Sequence, residues 1–277
     1  DGEQRRTSYL TYVTMRLQGF DYETLTKKWT RNKRRLAEVG RCVGPVSRTG
    51  SILREDSKFM LSESDRPVKM TLPGPMTVVD STADEHYGDE EAMAMEVAAA
   101  LNEEAKELDA LGVDVIQFDE PVFSRYPDKV KDWGVKALDR CVEGIKSSKT
   151  AAHVCYSYPM PGVPRPIVDS YPVILEVLED SKIDQLSLEF EVAKLDPELL
   201  QLCPSKTVMF GCIDNGSSEV ETPEHVAGKL LAAAKYLPAD QLQAAPDCGL
   251  VPLSLDVARR KLKAMVDGAK LARERIG

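Results

Sequence analysis

An α/β fold, and within it a single eight-stranded parallel (β/α) barrel of TIM type, is what this chain predicts, on three observations. Short β-type runs alternate with long helical patterns, which implies a parallel sheet covered by helices. The residues with the most chemical potential, Asp119, His153, Cys155, Glu189, Asp214 and Cys248, each fall at the end of a proposed strand. The length, 277 residues, suits one barrel of roughly 250 residues, and no Pro/Gly/Ser-rich linker divides it, so residues 1–277 are read as one domain.

The first strand is expected before Asp1, because the chain opens on a polar turn, Asp1-Gly2-Glu3-Gln4-Arg5-Arg6, which reads equally as a helix start or a binding loop. A weak strand candidate covers 40–44, and stronger ones cover 68–73, 113–118, 150–156, 185–190, 207–213 and 242–246. After the second of these, Leu72-Pro73-Gly74-Pro75 forms a rigid turn whose glycine permits close backbone approach to a ligand. Residues 90–111 carry Val97, Leu101, Leu108 and Leu111 on one helical stripe, and their acidic, alanine-rich remainder favours helix. Ser254 caps a final helix with Leu255, Leu262, Met265 and Ala269 on its apolar stripe, set against Arg259, Lys261 and Lys263.

Hydrophobic residues at 43% and charged residues at 29% are those of a globular protein. With 45 acidic against 36 basic side chains the net charge is -9, which disfavours nonspecific attraction to nucleic acid or an anionic membrane and leaves small-molecule chemistry as the better prior. No apolar run is long enough to span a membrane and no signal-peptide pattern is present. The six cysteines, Cys42, Cys141, Cys155, Cys203, Cys212 and Cys248, are too dispersed for a small disulfide scaffold, so a reducing cytoplasm is expected. The chain lacks a G-x-S-x-G elbow, a dinucleotide glycine pattern and a basic-aromatic patch. His86 and His225 read as surface residues.

His153 and Cys155 share one face if 150–156 is a strand. Taken alone, such a pair is usually a packed cysteine and a satisfied histidine. A barrel changes the odds, since it brings Cys248 of Pro246-Asp247-Cys248-Gly249 and an acidic residue of Leu188-Glu189 to the same rim. Imidazole, thiolates and a carboxylate suit zinc. Glu191 has the same strand parity as Glu189, and the pattern leaves the choice between them open. Asp119-Glu120 ends another strand, with carboxylates suited to a substrate ammonium or to proton transfer, or else to a hydrogen-bonded turn. Cys42, Cys141, Cys203 and Cys212 are read as packing residues.

Taken together and in order, Asp1-Gly2-Glu3, Gly40-Arg41-Cys42-Val43, Pro67-Val68-Lys69, Pro73-Gly74-Pro75, Ile116-Gln117-Phe118-Asp119-Glu120-Pro121, His153-Val154-Cys155-Tyr156, Leu188-Glu189 and Pro246-Asp247-Cys248-Gly249-Leu250 resemble the catalytic domain of the cobalamin-independent methionine synthase family. The resemblance implies zinc held by His153, Cys155, Glu189 and Cys248, so it selects Glu189 over Glu191. It implies that Glu3 and Asp119 contact the amino group of homocysteine, and that Asp214 is a catalytic-site match. The expected activity is methyl transfer to a small thiol, most simply homocysteine to give methionine.

Departures from the family bear on the methyl donor. Its full-length members carry a second, amino-terminal barrel and a tryptophan that stacks on folate, which aligns near Ser81 here, and a histidine in place of Gly216. The donor is therefore expected to be methyltetrahydrofolate or else methylcobalamin or a methylated corrinoid protein. Rival readings are alkyl transfer to another thiol such as coenzyme M, a noncatalytic zinc or amino-acid binding barrel, and the related porphyrin decarboxylase-like barrels, which need no His153, Cys155 and Cys248 set.

Overall fold

The computed structural model describes Arg6, residues 8–156 and residues 167–276. The chain enters through a short helix, α1 (Tyr9–Thr14), whose N-cap Ser8 accepts from the Thr11 amide. A long antiparallel hairpin follows, β1 (Leu17–Thr30) and β2 (Arg35–Arg48), and its turn places Arg31, Asn32 and Lys33 at φ of 55, 56 and 61°. This hairpin corrects the expectation at 40–44, which lie within β2 and pair with β1 instead of joining the main sheet. The exposed residues of β1 mix Glu23, Thr24 and Lys27 with Leu25 and Trp29, so its β character has no strong apolar alternation to announce it.

Helix α2 (Arg54–Glu63) leads to β3 (Lys69–Pro73), α3 (Pro75–Asp80) and the two-residue β4 (Ala83–Asp84), which joins β2 in parallel at Arg41↔Ala83. The predicted long helix is α4 (Glu90–Leu111), capped by the Asp89 side chain on the Ala92 amide and ended by Gly112 in the left-handed region at φ 87°. Beyond it come β5 (Val115–Asp119), the single turn α5 (Pro127–Lys129), α6 (Val135–Cys141), β6 (Lys149–Val154) and α7 (Tyr171–Glu179). The chain then forms β7 (Gln185–Leu188), β8 (Thr207–Gly211), α8 (Pro223–Ala233), β9 (Leu242–Ala245) and α9 (Leu255–Ile276).

Six strands form one all-parallel sheet in the order β3-β5-β6-β7-β8-β9. The sheet is largely buried, and every residue of β7 is, but polar residues such as Thr71, Gln117, His153 and Ser187 alternate with the apolar ones along its strands. The sheet is strongly curled, since Lys69 on β3 reaches the Met209 sulfur on β8 at 3.8 Å although three strands separate them in the order. Among the described residues it does not close: β3 and β9 are its edges, so the eight-stranded circuit expected from the sequence is reduced to six parallel strands and a separate three-stranded sheet.

The last helix corrects a second expectation. Its buried face runs through Lys261, Ala264, Gly268 and Ala272, while Leu255 and Leu262 are exposed. Small residues win that face because α8 crosses closely: a Cβ on Gly268 would lie 2.5 Å from Val226 Cβ. Lys261 is buried there because its ammonium donates to both oxygens of Glu221 at 2.9 Å. Among the described residues no helix is long and apolar enough to cross a membrane.

Candidate active site

Strand register builds the site. Asp119, the last residue of β5, stands opposite His153 on β6, and His153 stands opposite Ser187 on β7. Parallel neighbours in register project to the same face, here the concave one. They line a cavity of 440 Å³ together with Lys69, Thr71 and Gln117 at its floor, Cys248 and Gly249 from the loop after β9, and Leu255, Ala258, Arg259 and Leu262 of α9.

The donor atoms of His153, Cys155 and Cys248 all lie within 4.8 Å of one another. His153 Nδ1 faces the Ser187 carbonyl and hydroxyl, both at 3.2 Å, which fixes the ring and leaves Nε2 buried without a hydrogen-bond partner of ordinary geometry. The two sulfurs are 3.8 Å apart. Two thiolates about 2.3 Å from a tetrahedral ion stand about 3.8 Å from each other, so the pair has the spacing zinc requires. Burial opposes charge on His153, but the Cys155 thiol and then Asp119 outweigh it and lift the imidazole to about 9. The same electronegative field favours a cation among these groups, and the orphaned Nε2 and two sulfurs fit zinc in kind and in spacing.

Glu189 is fully buried beside this cluster, but its Oε2 accepts from the Tyr156 amide at 3.0 Å and it is outside the group whose donors converge. Glu191, the rival with the same parity, leaves the site altogether: β7 has ended, and its carboxylate pairs with His225 at 2.9 Å and Lys229 at 3.1 Å on α8. His225 and His86 are exposed, as expected. Cys42, Cys141, Cys203 and Cys212 are fully buried packing residues, and none of the six cysteines forms a disulfide.

Asp119 and Glu120 part company at the end of β5. Asp119 faces the cavity, where its Oδ1 accepts from Gln117 Nε2 at 2.7 Å while Gln117 Oε1 accepts from Lys69 Nζ at 2.8 Å. Burial raises the Asp119 carboxyl, against the pull of His153, Gln117 and Lys69. Burial likewise lowers the Lys69 ammonium, against the charge of Asp119. Glu120 instead turns to the start of α3 and accepts from the Met76 and Thr77 amides, both at 2.9 Å, and from the Thr77 hydroxyl at 2.7 Å. Gly74 makes room for Glu120: a Cβ there would lie 2.2 Å from the Glu120 carboxyl carbon.

Asp214 follows β8, accepts from the Gly216 amide at 2.6 Å and does not line the cavity. Glu3 lies outside the described residues. Sequence reasoning missed Tyr9, whose phenol is raised by burial, with Arg31 opposing and Asp119 and Cys155 adding to the shift, so it sits within the field of the site. It missed Lys69 and Gln117 as well, although their alternation with Asp119 on inward strand positions was available to read.

Against known proteins, residues 1–271 match the family model described as the catalytic domain of cobalamin-independent synthase. The methionine synthase of Saccharolobus solfataricus is 29% identical over 279 residues, covering 100% of this chain and 79% of that protein. That of Thermococcus kodakarensis is 28% identical over 278 residues, covering 100% and 78%. Among solved structures, a B12-independent methionine synthase from Shewanella sp. W3-18-1, in complex with selenomethionine, superposes with a TM-score of 0.93 at 41% identity, covering 99% of this chain and 82% of that one. A methyltransferase from Methanosarcina mazei shares the fold, with a TM-score of 0.65 at 17% identity over 96% of this chain and 78% of that one. The chain belongs to the cobalamin-independent methionine synthase family, whose catalytic domain it matches almost from end to end.

Proposed function

We propose that this domain is a zinc-dependent methyltransferase that converts homocysteine to methionine in the cavity between Asp119 and the His153, Cys155 and Cys248 cluster. The observation that carries the reading is the convergence of those three donor groups within 4.8 Å, beside a buried carboxylate on the adjacent strand. His153, Cys155 and Cys248 would hold the metal, with Glu189 as the fourth ligand after rotation of its carboxylate away from the Tyr156 amide. When bound, zinc supplies the Lewis acidity that favours the thiolate form of an incoming thiol.

Asp119 binds the substrate ammonium, and Glu3 joins it there. Adjacent strands stand about 4.8 Å apart, a distance the amino and thiol groups of a short amino thiol can span, so Asp119 and the His153 cluster hold both ends of one molecule. Leu250, Leu255 and Leu262 add apolar lining to the cavity. The sulfur attacks the methyl carbon in line, the new C–S bond forms as the methyl–donor bond breaks, and the thiol proton passes to solvent; Asp214 keeps the catalytic assignment that the family resemblance gives it, from outside the cavity lining. The selenomethionine bound by the Shewanella relative is a close analogue of the proposed product.

The donor is methyltetrahydrofolate or a methylated corrinoid, free or protein-bound. Ser81 at the C-cap of α3 offers no aromatic face for a pterin, which favours the corrinoid. Arg6, whose guanidinium donates to the Thr71 carbonyl of β3 at 3.2 Å, lies on the β3 edge of the sheet. A reducing cytoplasm agrees with six cysteines and no disulfide. The test is methionine formation by zinc-loaded protein given homocysteine and either methylcobalamin or polyglutamylated methyltetrahydrofolate. Product from either donor supports the reading and names the donor; product from neither, with coenzyme M methylated instead, overturns the homocysteine assignment.

A further inference from the structure

Cys248 is preceded by a carboxylate that the proposed chemistry does not use. Asp247 is fully buried, and its Oδ1 accepts from the Phe190 amide at 3.0 Å and the Glu191 amide at 2.9 Å while its Oδ2 accepts from the Val192 amide at 2.7 Å. One carboxylate on the loop after β9 thus gathers three successive amides of the loop after β7, the loop that begins with Glu189. Its own amide donates to the Ile213 carbonyl beyond β8 at 3.0 Å, so the ends of three neighbouring strands meet at this residue.

The contact has been made room for. Gly211 ends β8, and a Cβ there would lie 2.1 Å from Asp247 Oδ1 and 2.6 Å from the Leu188 carbonyl. A backbone obstacle of that kind cannot be relieved by turning a flexible side chain. A parallel tie joins the other ligand-bearing loop: the Tyr171 hydroxyl accepts from the Glu189 amide at 3.0 Å and donates to the Val154 carbonyl at 2.7 Å, one residue before Cys155. Tyr171 is itself held between Tyr156, stacked at 5.3 Å, and Phe190 at 6.2 Å.

We propose that Asp247 is the positioning residue of the metal site, a staple that fixes the Glu189 loop and the Cys248 loop relative to each other so that their donor groups stand ready for the ion. The inference rests on the zinc reading above. Outer hydrogen-bond partners of metal ligands change affinity by roughly 10–100-fold, and here one side chain serves two ligand loops. An asparagine at 247 keeps one acceptor but turns an amide N–H₂ toward a backbone donor, which breaks the three-bond pattern without changing the volume.

The test uses the whole chain and three proteins: wild type, Asp247→Asn and Gly211→Ala. Zinc affinity is measured by competition with a chromophoric chelator, and the cobalt-substituted forms are compared by their thiolate-to-cobalt absorption. The expected result is a zinc dissociation constant raised roughly 10–100-fold in both variants, with altered cobalt bands, and a lower melting temperature of the metal-free protein, most of all for Gly211→Ala, whose new Cβ meets the Leu188 carbonyl. Affinities within two-fold of wild type would overturn the staple while leaving zinc in place; a wild type that binds no zinc would instead overturn the zinc reading. Should the variants not fold, amide hydrogen exchange on metal-free wild type decides the matter. Slow exchange at Phe190, Glu191 and Val192 without zinc supports a preformed staple, and fast exchange there overturns it.

Discussion

Asp119 and His153 stand directly opposite each other on adjacent parallel strands, each only 7% exposed, with both side chains on the concave face of the sheet. The relationship places a carboxylate beside a sulfur-and-nitrogen cluster at the distance of one strand spacing. The carboxylate is also directed. Lysine has donors only, so Lys69 must take the Gln117 oxygen, which turns the Gln117 amide nitrogen toward Asp119 Oδ1.

Replacing Asp119 with Asn removes a charged acceptor from the proposed ammonium site. A hydrogen bond to a charged group contributes about 1.5–3 kcal/mol, so the KM for homocysteine should rise roughly 10- to 100-fold in steady-state assays, while zinc content stays at the wild-type value. An unchanged KM would remove Asp119 from substrate binding.

Metal removal gives a second outcome. Dialysis against a strong chelator should abolish methyl transfer, and stoichiometric zinc should restore it. Cys248→Ser should weaken zinc by more than the roughly 10–100-fold cost of losing an outer partner, as read by chelator competition. Full turnover by metal-free protein would refute a catalytic metal here.

Acid should destabilise the fold through carboxylates far from the cavity. Although burial opposes ionisation of Asp109, the amides of Ser148, Lys146 and Ser147 outweigh it and hold its pKa below the ordinary 3.8. Asp184 is lowered in the same sense, burial being outweighed by Thr150 and then Lys149. A depressed native pKa contributes stability above the unfolded value and loses it as pH falls through the native one. Denaturant midpoints should therefore fall steadily below about pH 4, and Asp109→Asn should flatten that slope.

Gly74→Ala should cost about 1–3 kcal/mol through overpacking, because its Cβ would meet the Glu120 carboxyl carbon at 2.2 Å. Gly228→Ala, in α8 with nothing within 4 Å, is the control and should stabilise by about 0.5–1 kcal/mol. Urea midpoints at constant slope separate the two; equal midpoints would mean that Glu120 yields freely.

The sequence by itself determined the parallel strands, the long helix from Glu90 to Leu111, and the placement of Asp119, His153, Cys155 and Cys248 at strand ends. These features are local, because apolar runs and capping residues write strand and helix directly into neighbouring positions. Family likeness then chose Glu189 over Glu191, which parity alone left open. Only the tertiary structure decided that Gly40 to Gly44 pair within a hairpin, that Glu120 closes the start of α3 instead of facing the cavity, and that Lys261 is buried where Leu262 is not. It also decided the contact between Asp247, in the loop after β9, and Gly211, at the end of β8, with a helix between them in sequence. Such choices depend on which polar group finds a partner and which face finds room, and both are settled by residues distant in the chain, where no local pattern records them.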